Sequence, residues 1–162
     1  MKETYGVVVM AVIDVLVECF NNMMDGLYYY YDRRNGEIVE IYIMHLELAH
    51  KYLNGDNLSY IEEWERKVVL ETVDFLKNIR FYVKLPARYD VDEYRIMARF
   101  CYTRKKKKHV NKLMDALSGK GRMRTFNETV KKLRLVEEWK EFRHKELVNI
   151  AIKWCEENGI PY

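Results

Sequence analysis

Cysteine is scarce in this 162-residue chain, and what there is cannot form a framework. Cys19, Cys101 and Cys155 are odd in number, far apart and without a C-x-x-C pair. That spacing fits no zinc site, and three scattered thiols read as reduced, semi-buried residues of a cytoplasmic protein. Long apolar runs are missing too. The richest, Gly6 to Phe20, is shorter than the ~20 residues that span a bilayer, and Asp14 and Glu18 interrupt it. It has neither a substantial basic n-region nor a small-residue cleavage site, so no membrane span and no export signal are expected. Asp14, Glu18 and Asn21 or Asn22 recur at helical spacing. This predicts a core helix wetted along one edge, or an N-terminal helix through which a homodimer forms. The chain also lacks an internal repeat, a Gly-x-Ser-x-Gly elbow and the marks of an RNA recognition motif.

What is present is globular. Apolar residues make up 49% and charged residues 33%, unlike a disordered tail. One domain of this length buries about two-thirds of its unfolded surface and needs no staple. After the first helix, Tyr28–Asp32 and Glu37–Ile43 flank Asn35-Gly36, a strong hairpin signal. Met44–Asn54 reads as a short helix closed by Gly55. Ser59-x-x-Glu62 is a capping box opening a helix to about Asn78. Ile79–Leu85 alternates between two faces and stops at Pro86, as a third, half-buried strand would.

Everything after Asp90 reads as helical. Asp90 is the expected N-cap, with Asp92 and Glu93 in the first turn. A break near Thr103 precedes a helix over Lys105–Leu117, which stops at Ser118-Gly-Lys-Gly121. A helix over Arg124–Leu133 follows, then a long one from Leu135 to Asn158 with Gly159 as its C-terminal stop. The expectation is one mostly helical α+β domain with a small antiparallel sheet, made of a hairpin plus a third strand. Residues 1–85 would carry the first helix, the hairpin, a helical insert and the third strand, and 86–162 the helical half.

Charge is unevenly spread. Residues 1–98 hold 11 Lys+Arg against 17 Asp+Glu, residues 135–162 hold 4 against 6, but residues 99–134 hold 13 against 2. A modest overall balance of +3 therefore hides a middle block of +11. The anion-binding candidates are Arg104, Lys105, Lys106, Lys107, Lys108, Lys112, Lys120, Arg122 and Arg124, with Gly119 and Gly121 letting backbone approach a phosphate. Gly-Lys-Gly has neither the spacing nor the trailing Ser/Thr of a nucleotide P-loop. A solvated helix face with an ordinary glycine stop is the plainer reading of the same residues.

Other constellations are weaker. Tyr28–Tyr31 beside Arg33 and Arg34 suggests base stacking, but alternate tyrosines packed on a core explain it better. Glu47/His50 and Glu141/His144 have di-iron spacing, yet Glu141 falls opposite the Trp139/Phe142 stripe and should face solvent. Neither metal nor cofactor is expected. Arg143 falls in the middle of the last helix's apolar stripe. Two roles fit it: a structural arginine paired with Asp90 or Glu93, or an anion-binding arginine in a cleft.

Five segments carry a resemblance. They are Leu85-Pro86, Glu93-Tyr-Arg-Ile-Met97, Gly119-Lys-Gly-Arg-Met-Arg-Thr-Phe126, Trp139-Lys-Glu-Phe-Arg143 and Trp154 through Gly159-Ile160. In that order they resemble uncharacterised protein family 0158, a bacterial group. The resemblance implies a small α+β protein and supplies neither a reaction nor a catalytic residue. Two departures are the helical stretch Met44–Asn78 and the run Lys105–Lys108. The function expected is a non-enzymatic, nucleic-acid-binding or regulatory role through a basic surface. The alternative is an inhibitor or adaptor module that binds an acidic protein surface.

Overall fold

The computed structural model describes residues 11–162. The fold is α+β, mostly helical with a three-stranded antiparallel sheet. No helix among the described residues is long and apolar enough to cross a membrane. The described residues form two compact units, one of residues 18–88 and one joining residues 11–17 to Tyr89–Tyr162. Helix α1, Val12–Asn21, crosses the boundary between them. The part of the apolar run before Ala11 lies outside the described residues.

In the unit of residues 18–88, β1 (Leu27–Asp32) is central, with β2 (Ile38–Tyr42) and β3 (Tyr82–Lys84) antiparallel on either side. The β1–β2 connection is Arg33–Glu37. Gly36 supplies a positive φ of 77°, and its N–H donates to the Asp32 carbonyl at 2.8 Å. Asp32 is 4% exposed and fully engaged. Arg34 donates to its carboxylate through the backbone N–H (2.9 Å), Nε (2.9 Å) and Nη2 (2.6 Å), and also to the Tyr82 hydroxyl (2.8 Å). One buried carboxylate thus fixes the turn and ties it to β3. The arginine hydrogen bonds hold the Asp32 carboxyl at about 2, below its usual 3.8.

Helix α2 (Ile43–Leu53) leads to α3 (Glu63–Lys77), and Ala49, Leu58, Val69 and Val73 form the core between them. The predicted capping box does not form. Asp56 accepts from the Leu58 N–H and Asn57 from the Ser59 N–H, Leu58 takes a positive φ of 53°, and α3 begins four residues after Ser59. The third strand is also shorter than its alternation predicts. Ile79–Phe81 closes as a 3-10 turn on the Asn78 carbonyl, leaving only Tyr82–Lys84 to pair with β1.

After α4 (Arg88–Val91), whose first residue closes that unit, the other unit holds α5 (Glu93–Tyr102), α6 (Lys107–Leu117), α7 (Arg122–Lys132) and α8 (Val136–Asn158). Asp92, not Asp90, is the N-cap of α5. It has a φ of 45° and accepts from the Arg95 N–H, because Asp90 is already inside α4. Phe100, Phe126 and Trp139 meet edge to face, with centroids 5.0 to 6.3 Å apart, and join α5, α7 and α8. The three thiols are free and buried, and burial pushes Cys19 and Cys101 up to about 11.

Two outcomes follow for stability. Phe126→Ala should cost about 3–5 kcal/mol in urea unfolding, since the ring is fully buried. The Asp32 carboxyl is depressed, so its stabilisation is present above pH 4 and lost as the pH falls toward about 2. The stability gap between wild type and Asp32→Asn, followed by circular dichroism, should close over that window.

Candidate nucleic-acid interface

From Tyr94 to Met114 the sequence contains no acidic residue. The fold sorts the cations of this stretch, and those following it, into two kinds. Most of the arginines are engaged, although exposed Arg95 and Arg134 have no carboxylate partner among the described residues. Arg99 pairs with the buried Glu146, and Arg143 binds the Glu93 carboxylate through Nε (3.0 and 3.1 Å) and Nη2, so both tie α5 to α8. Arg104 lies 4.2 Å over the Phe100 ring and donates to Thr103 Oγ1 at 2.8 Å. Arg122 lies 4.3 Å over Tyr94, and Arg124 sits 3.6 Å from Glu128 on the solvent side of α7.

The lysines are different. Lys105, Lys106, Lys107, Lys108, Lys112, Lys120, Lys131 and Lys132 are exposed, and among the described residues none pairs with a carboxylate. Lys105 and Lys106 form the approach to α6, two residues later than the helix start predicted at Lys105. Lys106 is its N-cap, its carbonyl accepting from His109 (2.8 Å) and Val110 (3.2 Å) with no side-chain cap. Lys107 and Lys108 occupy the first turn, which holds no acid. Positive charge therefore sits on the positive end of the helix dipole, the arrangement least favourable to the helix and most favourable to a bound anion.

Further along α6, Leu113, Ala116 and Leu117 are buried, while Lys108, Lys112 and Asp115 share the opposite, exposed side. The turn into α7 runs through exposed Gly119, Lys120 and Gly121. Gly121 is the N-cap, with a φ of 68° that a side chain would strain, and its carbonyl accepts from Thr125 at 3.0 Å. Gly119 has no such φ and open space where a Cβ would go. Helix α7 starts at Arg122, two residues before the predicted Arg124.

No family model, curated protein or solved structure matches the chain.

The remaining sequence candidates lie elsewhere. Tyr29 and Tyr31 are buried and Tyr28 and Tyr30 half-buried in β1, so that run is sheet packing. Glu47, His50 and His144 are exposed, and Glu141 faces solvent, where it pairs with Lys145 at 2.9 Å. Clefts of about 760 and 630 Å³ lie along α3, against Trp64 and Leu70 and against Ile41 and Phe75, in the other unit from the lysines. Sequence reasoning passed over two exposed tyrosines of α5: Tyr102, on the side away from buried Ile96, Met97, Phe100 and Cys101, and Tyr94, at the edge of that buried side. The 3.6-residue period of that helix, applied to its tyrosines, would have found them.

The dipole conflict makes a stability prediction. Lys107→Glu and Lys108→Glu should each stabilise the protein by about 0.3–1 kcal/mol at low salt. Gly121→Ala should cost about 1–2 kcal/mol through its left-handed φ, and Gly119→Ala almost nothing. Denaturant melts of the four variants check both.

Proposed function

We propose that this protein binds nucleic acid, without catalysing a reaction on it, through the lysines of α6, the α6–α7 turn and α7. The single observation that carries the reading is the division above: exposed lysines with no carboxylate partner among the described residues, concentrated where most of the neighbouring arginines are already engaged. Lysine ammonium groups are flexible point charges. They suit a phosphate backbone, whereas reading base edges calls for the planar guanidinium fork. The charge pattern at the start of α6 supports the same reading, because it is kept at the helix's expense.

A regulatory role and a cytoplasmic location belong to the proposal, the latter supported by three buried, unpaired thiols. So does membership of uncharacterised protein family 0158, on the five motifs that carry that resemblance. A homodimer is not needed for this surface to act.

Binding of labelled RNA and DNA, followed by anisotropy across a salt series, is the test. Affinity should fall roughly a thousandfold between about 50 and 200 mM salt if some six phosphates are neutralised. Replacing Lys105, Lys106, Lys107 and Lys108 together by glutamate should abolish binding while the fold stays intact by circular dichroism. Silence toward both polymers at low salt, with tight binding to polyglutamate, would move the assignment to an acidic protein partner.

A further inference from the structure

Resting on that reading, we infer that the bound polymer is single-stranded nucleic acid, with bases stacking on Tyr94 and Tyr102 of α5. Tyr102 is 71% exposed and Tyr94 39%. Singly exposed rings are ordinary, Tyr89 and Trp64 among them here, and what sets these two apart is their place at the edge of the basic block. The helix turns Ile96, Met97, Phe100 and Cys101 inward and Tyr102 outward, with Tyr94 at the flank between the two sides. Tyr102 follows Tyr94 by eight positions of α-helix, a span of about 12 Å, with small Ala98 between them and about 80° between their directions around the axis.

Each ring stands beside cations. Tyr94 carries the Arg122 guanidinium 4.3 Å from its centroid, which brings the start of α7, and Lys120 two residues before it, to that end of α5. Tyr102 is three residues from the Lys105–Lys108 run at the other end. No acid lies between Tyr94 and Met114, so a phosphate backbone following α5 meets no fixed negative charge from this stretch. Cations that track a backbone, with aromatic rings between them, are the two components of a single-strand site. A duplex cannot use the second component, because its bases are paired and stacked on each other. Stacking is indifferent to sugar type, so the shared chemistry is an unpaired base beside a phosphate.

The test compares labelled oligouridylate, oligothymidylate and a DNA duplex, each of about 20 nucleotides per strand, at one low salt concentration by anisotropy. Both single strands should bind at least about tenfold tighter than the duplex. Tyr102→Ala should weaken single-strand binding about fivefold to a hundredfold, leave duplex binding unchanged, and leave the salt dependence unchanged because no charge is removed. Tyr102→Trp should retain affinity. Trp64→Ala, which removes a 66% exposed ring next to Glu62 and Glu63, should have no effect. An intact thermal melt is expected for Tyr102→Ala because the ring is exposed. Equal binding of duplex and single strands, a Tyr102→Ala variant indistinguishable from wild type, or an equal loss in Trp64→Ala overturns the stacking and leaves the phosphate-binding reading in place. Absence of binding to all three overturns both. The ratio of oligouridylate to oligothymidylate affinity decides between RNA and DNA.

Discussion

The contact of Phe100 with Phe126 and Trp139 is the constraint on which the proposed surface depends. It sets α5 against both α7 and α8, and the Arg99–Glu146 and Arg143–Glu93 pairs fasten α5 to α8 as well. With the apolar sides of α5, α6 and α7 committed inward, the lysines of α6 and α7 are left facing solvent. Nothing about the lysines themselves creates their exposure. It is a by-product of where the rings go.

The two kinds of cation have different physical tasks. Arginine keeps its charge in partly buried settings, forks onto carboxylates and lies flat on rings, which is how Arg99, Arg143, Arg104 and Arg122 are used. Lysine is left for the surface. Repulsion among Lys105–Lys108 and with the α6 dipole is tolerable because the anchoring of α6 comes from Leu113, Ala116 and Leu117, well along the helix.

Much of this was legible in the chain. The hairpin, the antiparallel third strand, the helical second half, the break at Thr103 and the C-terminal stop at Gly159 rest on local signals, and local chemistry decides them. The misses lie at element ends, where a backbone turn shortened the third strand or a side chain chose an unexpected backbone partner. Asn57 captured the Ser59 N–H that a capping box would have used, and Asp92 replaced Asp90 as a cap. Composition exposed the basic block, but not its division into engaged arginines and unpaired lysines. That division depends on Glu146 and Glu93, 47 and 50 residues away from their partners along the chain.

The concealed sulfurs carry a practical corollary. All three native thiols are shielded, and those of Cys19 and Cys101 need strongly alkaline conditions to ionise. A cysteine placed at an exposed site would outpace them all in maleimide coupling at neutral pH. A dye or spin label could then be attached to the wild-type background without first deleting any sulfur from the core.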